Sequence, residues 1–150
     1  MWKTIDRKRT KMKNYIHHNK AVYLTQYHII WCPKYRRNIL TEQIKNRLES
    51  IIHEVCDEMD AEIKALEIMP NHVHIFVSFT YREPIYKLIK KMKGRSSNLL
   101  RKEFPELRKM STLWTRSFFV SSVGNVSEKT VMEYIKNQWN KWTNELMSFT

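Results

Sequence analysis

The run from His72 to Phe79 constrains the fold of this chain more than any other segment. Successive side chains of a β-strand point to opposite faces of a sheet, so this alternating run predicts a strand with one apolar face. The apolar face carries Val73, Ile75, Val77 and Phe79. His72 and His74 share the other face, with Cα atoms roughly 7 Å apart. The sequence therefore predicts a strand that faces a core on one side and presents two imidazoles, in a metal-ligand spacing, on the other.

The segments around this strand predict an α+β domain. Strand-like composition covers residues 21–33, 62–69, 72–79 and 113–123. Helical periodicity covers residues 41–59, 83–104 and 128–147, and the second helix is interrupted or kinked at Gly94. The order β-α-β-β-α-β-α is that of the ferredoxin-like split β-α-β fold, a four-stranded antiparallel sheet with helices on one face. Residues 1–19 are predicted to be a basic N-terminal arm, and residues 20–150 a single domain.

Positive charge is clustered along the chain. The 27 Lys and Arg residues exceed the 15 Asp and Glu residues, and residues 82–109 alone hold ten bases against three acids. Clustered bases interleaved with aromatic residues favour nucleic acid over a membrane surface as the partner. The alternative is a set of solvated lysine faces without a specific partner.

Several classes of protein are excluded by composition. With Gly94 and Gly124 as its only glycines, the chain has no glycine-rich loop for a nucleotide cofactor. Cys32 and Cys56 are in no metal-binding spacing and are expected to be reduced thiols. No apolar run is long enough for a membrane span, and the N-terminus lacks the pattern of a signal peptide, so a cytoplasmic location is expected.

The last predicted helix offers a second reactive group. Tyr134 and Gln138 are four residues apart and share one helix face. A phenol is mostly protonated at neutral pH, so Tyr134 as a nucleophile needs an activated electrophile such as a metal-bound phosphate. The alternative is an amphipathic tyrosine that packs at the edge of the core.

Several short motifs resemble those of the HUH single-tyrosine transposases of bacterial insertion sequences. The resemblance covers about residues 21–140 and includes Tyr35-Arg-Arg37, Met69-Pro-Asn-His-Val-His74, Lys93-Gly-Arg-Ser-Ser97, Leu113-Trp114, Phe119-Val-Ser-Ser-Val-Gly124 and Tyr134-Ile-Lys-Asn-Gln138. It implies a transposase with Tyr134 as nucleophile and with His72, His74 and Gln138 as ligands of Mg²⁺ or Mn²⁺. It also implies a homodimer in which the tyrosine helix can complete either its own site or that of the partner.

The implied reaction cleaves and rejoins single-stranded DNA at insertion-sequence ends that carry hairpins, through a 5′-phosphotyrosine and without a nucleotide cofactor. The candidate DNA contacts are Lys34, Tyr35, Arg36, Arg37, Lys87, Lys90, Lys91, Lys93 and Arg95. The chain departs from the family pattern at Asn71, where an acidic residue is frequent, and in its long basic arm.

Other interpretations remain open at this point. A structural zinc would need cysteine ligands that are not spaced suitably near His72. A domesticated relative that nicks and joins genomic repeats would use the same residues, and a non-catalytic nucleic-acid-binding module would share the element order. The remaining histidines are expected to be surface or core residues: His17, His18, His28 and His53. Glu133 is expected to be a solvated carboxylate rather than a catalytic base.

Overall fold

The computed structural model describes residues 16–18, 21–23, 25–124, 133 and 137. Two short strands, β1 (Ile16–His18) and β2 (Ala21–Tyr23), pair with each other as an antiparallel sheet. The remaining strands are β3 (Gln26–Trp31), β4 (Glu62–Met69), β5 (His72–Ser78) and β6 (Phe119–Val123). The helices are α1 (Glu42–Glu58) and α2 (Ile85–Glu103).

The second sheet has the strand order β4-β5-β3-β6, and every neighbouring pair is antiparallel. This is the predicted ferredoxin-like arrangement, so the fold class is confirmed. Strand β5 lies in the interior of the sheet and is buried along its whole length. The predicted histidine strand is thus held by a neighbour on each side.

Both helices pack on the apolar face of this sheet. Leu48, Ile52 and Val55 recur on one side of α1 at helical spacing, and all three are fully buried. Ile75 of β5 belongs to the same cluster, as do the other odd-numbered residues of its face, Val73, Val77 and Phe79. The alternation read from the sequence therefore places the core correctly.

Three features of these elements differ clearly from the sequence prediction. The first predicted strand is divided between β2 and β3, and at the break the Thr25 hydroxyl donates to the carbonyl of Phe79. Helix α2 is continuous through Gly94. The last strand of the sheet begins only at Phe119, because the carbonyls of residues 115–117 accept hydrogen bonds from Lys93 instead of from a neighbouring strand.

The predicted ends of the chain fall mostly outside the described residues. Within the predicted basic arm, Ile16–His18 forms strand β1. Within the predicted last helix, Glu133 and Asn137 are helical and exposed. Tyr134 and Gln138 lie outside the described residues. In the part of the chain that is described, no helix is long and apolar enough to cross a membrane.

Candidate metal and nucleic-acid site

Strand β5 brings the two histidines together on the sheet face opposite the helices. His74 lies across from Ile30 of β3 and from Glu67 of β4. The His72 and His74 side chains are both buried, with exposed fractions of 7% and 3%. Their ring centroids are 4.5 Å apart, with an angle of 38° between the ring planes. Two imidazoles at this separation can bind the same cation.

The surroundings of His72 keep its imidazole neutral. Burial, the charge of His74 and the charge of Arg36 lower the pKa of His72 to about 3. A metal binds the neutral form of histidine, so the low pKa leaves the ligand ready at neutral pH. Arg36 therefore lies close enough to His72 to help lower its pKa.

Asn71 fixes the orientation of His72. The Asn71 Oδ1 atom lies 2.6 Å from the Nδ1 atom of His72. Because a carbonyl oxygen can only accept, Nδ1 carries the proton and donates, and the lone pair is left on Nε2. Such outer partners commonly set the tautomer of a metal-binding histidine. The sequence pattern singled out Asn71 only as a departure from an acidic residue, and its role as a partner of His72 was missed.

A third histidine lies on the same face and was not assigned to the site from the sequence. His28 of β3 is 1% exposed, and its ring stacks on Phe76 with centroids 4.7 Å apart. Burial and the charge of His74 lower the pKa of His28 to about 4. The pairing of β3 with β5 places His28 opposite Phe76 and therefore on the same face as His74. Knowing this pairing would have been enough to place His28 beside the site. In the structure His28 is a buried residue, as expected, but it is a neighbour of the histidine pair.

The histidine pair is only part of a coordination shell. Across the described ranges, no group of three or more His, Cys, Asp or Glu side chains is arranged to hold a metal ion. The other two residues assigned to the centre, Tyr134 and Gln138, lie outside the described residues. Their assignment stays a prediction.

The loop after β3 presents an exposed aromatic ring with cations on it. Tyr35 is 70% exposed, and both the Lys34 ammonium and the Arg37 guanidinium lie over its ring, 5.4 and 5.5 Å from the centroid. Tyr35 and Arg36 have φ angles of 61° and 52°, which is the left-handed region that non-glycine residues rarely adopt. Strained backbone of this kind persists where its surroundings hold it, and it is frequent at binding sites.

The basic residues of α2 divide into two groups. Lys87 forms an ion pair with Glu83 at 2.7 Å. Lys91 and Arg95 both bind Glu58, at 3.1 and 2.6 Å. Each of these three bases therefore already has an acidic partner, and Lys91 and Arg95 share a single carboxylate.

Lys93 is engaged in a different way. Its Nζ atom donates to the carbonyl oxygens of Thr115, Arg116 and Ser117, at 2.7, 3.3 and 3.3 Å. Burial lowers the pKa of Lys93 to about 8. In this structure Lys93 anchors the segment before β6, and a phosphate contact from it stays a prediction.

Comparison with known proteins gives consistent matches. Residues 21–138 match the family model described as "Transposase IS200 like". The chain is 30% identical over 123 residues to the ISDra2 transposase TnpA of Deinococcus radiodurans, covering 80% of this chain and 88% of that protein. It is 28% identical over 116 residues to the transposase for insertion sequence element IS200 of Salmonella typhimurium, covering 75% and 76%.

Solved structures agree with this fold. A crystal structure from Deinococcus radiodurans R1, whose protein is assigned as a transposase, superposes with a TM-score of 0.69 at 30% identity, over 82% of this chain and 97% of that one. The structure of a REP-associated tyrosine transposase bound to a REP hairpin superposes with a TM-score of 0.57 at 16% identity, over 85% and 76%. The second likeness is one of fold alone.

Proposed function

The chain belongs to the IS200-like transposase family, and from this premise we propose that it cleaves and rejoins single-stranded DNA through a covalent tyrosine intermediate. The observation that carries the proposal is the buried pair formed by His72 and His74, in which burial above all lowers the pKa of His72 to about 3 and keeps that imidazole neutral. A metal binds histidine in its neutral form, and two imidazoles whose ring centroids are 4.5 Å apart can share one divalent cation.

The residues present suit Mg²⁺ or Mn²⁺. His72 and His74 would supply two nitrogen ligands, and the amide oxygen of Gln138 would supply a third. Bound there, the cation would polarise a scissile phosphate and hold it in place. Asn71 contributes by keeping the Nδ1 proton on His72, so that Nε2 remains available. Zinc is a poorer fit. Cys32 follows β3 and Cys56 lies in α1, and among the described residues neither thiol joins the histidines in a group of metal ligands.

Tyr134 is proposed as the nucleophile. Its phenolic oxygen would form a bond to the phosphorus of the scissile phosphodiester, while the bond from phosphorus to the 3′-oxygen of the preceding nucleotide breaks. The phenol loses its proton, and the departing 3′-oxygen gains one. Attack by a 3′-hydroxyl from another strand would reverse the step, release Tyr134 and leave a joined strand. The phosphodiester energy is kept in the link, so no nucleotide cofactor is needed.

Contacts to DNA are proposed for the loop after β3 and for α2. Tyr35 offers an exposed ring for a base, and Lys34, Arg36 and Arg37 offer charge for phosphates. The proposed contacts on α2 are Lys87, Lys90, Lys91, Lys93 and Arg95. To bind a phosphate, Lys87, Lys91 and Arg95 would have to release the carboxylates that they now bind.

The proposed substrate is DNA with hairpins at the element ends, as in the hairpin complex of the REP-associated neighbour. A homodimer would hold two such ends. In it, Tyr134 and Gln138 would meet the histidines of the same chain or of the partner. Action on chromosomal DNA makes the cytoplasm the proposed compartment.

The test of catalysis is covalent capture. The wild-type protein is incubated with single-stranded DNA carrying the element ends and Mn²⁺, and the products are separated under denaturing conditions. We expect a protein–DNA adduct that Tyr134→Phe abolishes and that Tyr81→Phe, a change at an exposed tyrosine, leaves intact. Absence of an adduct with the wild-type protein on its own element ends would favour a non-catalytic binding module.

The test of the metal site uses binding alone. Mn²⁺ titration followed by electron paramagnetic resonance should show one site that His72→Ala and His74→Ala each remove. His53→Ala is the matched control, since His53 is exposed on α1. Asn71→Leu should weaken the site about tenfold, the lower end of what loss of an outer partner causes. Equal Mn²⁺ binding by the wild type and by both histidine variants would contradict the assignment.

A further inference from the structure

A groove of about 440 Å³ lies between α2 and the segment 111–118 that leads to β6. Its α2 wall is a single stripe, because its residues recur every three or four positions and therefore share one helix face. The stripe consists of Tyr86, Lys90, Lys93, Gly94, Ser97 and Arg101. The opposite wall is the segment that Lys93 anchors through three carbonyls.

The charged groups of this groove are all cationic. Lys90, Lys93, Arg101 and Arg116 line it, and no acidic residue does. Within residues 25–124, neither Lys90 nor Arg101 has an ion-pair partner, and the buried Nε atom of Arg101 has no hydrogen-bond acceptor. The bases of α2 that do bind acids lie outside the groove. The groove is therefore complementary to an anion.

The groove also offers aromatic and apolar surface. Tyr86 is 53% exposed and Phe118 is 36% exposed, and both contribute to the lining. The Lys93 ammonium lies 5.4 Å from the centroid of the Phe118 ring. Exposed rings beside unpaired cations are the combination that binds single-stranded nucleic acid. A nucleobase stacks on an aromatic ring while the neighbouring phosphates bind Lys and Arg side chains.

Gly94 leaves open space at the edge of this groove. A Cβ atom added at Gly94 would meet nothing within 4 Å, so no neighbouring side chain explains the glycine. Glycine inside a helix is less stable than alanine by about 1 kcal/mol. A glycine at this position leaves room for a bound molecule in the groove, which would offset its cost to the stability of the helix.

The groove wall is joined to the end of β3, the strand that pairs with the histidine strand β5. Burial raises the pKa of Cys32, and the Thr115 hydroxyl and the positive charges of Arg36 and Lys93 oppose that rise, so both cations act on the same thiol. Arg36 also contributes, after burial and His74, to the low pKa of His72. The backbone at the groove wall is joined to the same end of β3, because the Thr115 N–H donates to the Cys32 carbonyl at 3.0 Å. One DNA strand can therefore reach both places.

From these observations we infer that the groove binds one unpaired base of single-stranded DNA, stacked on Tyr86 or Phe118, with the adjoining phosphates on Lys90 and Arg101. This inference rests on the proposed function, because it assigns a further contact to the same substrate. The base seated here lies on the helix side of the sheet, away from the reacting phosphate. Its effect is on affinity and on the position of the strand, and it takes no part in the chemical step.

The test compares two substitutions on α2 with two DNA strands. Gly94→Leu places a side chain over the groove, and Asn98→Leu places the same side chain on an exposed position outside it. Anisotropy titrations use a labelled oligothymidylate and an abasic strand of the same length. Gly94→Leu should weaken oligothymidylate binding by about five- to a hundredfold, the range that one base–aromatic stack contributes, and Asn98→Leu by less than about twofold. On the abasic strand Gly94→Leu should bind like the wild type.

Other results would overturn the inference. Equal oligothymidylate affinity of Gly94→Leu and the wild type would remove the groove from the DNA path, and an equal loss on both strands would show a phosphate site without a base. If thermal unfolding reveals that Gly94→Leu is misfolded, the double variant Tyr86→Ala with Phe118→Ala replaces it, with the same expected loss. A wild-type protein that forms the Tyr134 adduct while Gly94→Leu has no effect would leave the proposed function standing. Absence of both adduct and oligothymidylate binding would refute the two together.

Discussion

Acidification should destabilise this fold through His28, and the size of the effect follows from its surroundings. Burial and the charge of His74 lower the pKa of His28 to about 4, against an ordinary value of about 6.5 in the unfolded chain. The folded state therefore keeps His28 neutral while the unfolded state takes up a proton. The stability that this provides is complete above about pH 6.5 and is lost as the pH falls towards about 4. Between about pH 7.5 and about pH 5 the loss amounts to about 2 kcal/mol.

His28→Phe isolates this contribution. A phenyl ring keeps the stack on Phe76, whose centroid is 4.7 Å away, and cannot take up a proton. Urea unfolding with EDTA present, followed by tryptophan fluorescence at both pH values, gives the loss for each protein. We expect His28→Phe to lose about 2 kcal/mol less than the wild type on acidification. His53→Gln, at an exposed histidine, should lose as much as the wild type. An equal loss for the wild type and His28→Phe would refute the reasoning.

Three further predictions concern packing and DNA. Ser96→Ala should destabilise the fold by about 1–3 kcal/mol in urea unfolding, because the Trp114 indole N–H, 2.9 Å from the Ser96 hydroxyl, would be buried without an acceptor; an unchanged midpoint would contradict this. Gly94→Ala should raise stability by about 0.5–1 kcal/mol, since the added Cβ meets nothing in a helix, and a loss of stability would show that the helix needs glycine there. Replacing both Arg36 and Arg37 by Gln should reduce the slope of log affinity against log salt for single-stranded DNA by about 1.4; an unchanged slope would remove these arginines from the phosphate path.

The sequence predicted the parts of this fold that depend on local pattern. The alternation from His72 to Phe79 was enough to separate the core face from the site face. Its odd-numbered residues pack in the core, while His72 and His74 lie on the opposite face of the same strand. The order of helices and strands followed from periodicities that the structure repeats almost to the residue in α1 and β4. The sequence therefore predicted elements correctly where the hydrophobic periodicity of a segment was clear.

Contacts between distant segments decided what the sequence could not predict. The segment 113–118 has the composition of a strand, yet the carbonyls of residues 115–117 accept hydrogen bonds from the Lys93 ammonium of α2. Gly94 looked like a break, yet the helix continues through it, and the buried hydroxyl of Ser96 donates to the carbonyl of Lys93. The proximity of His28 to His74 depends on the register of β3 against β5, which no local pattern specifies.

The histidine pair and Tyr134 are proposed to form one phosphotyrosine-forming centre. The most direct measurement is peptide mass spectrometry of the protein after reaction with single-stranded element ends and Mn²⁺. We expect a nucleotide 5′-phosphate on the peptide that contains Tyr134, lost when His72 and His74 are both replaced by alanine or when Mn²⁺ is removed. A nucleotide attached to any other residue, or one that forms equally well without the histidines, would contradict it.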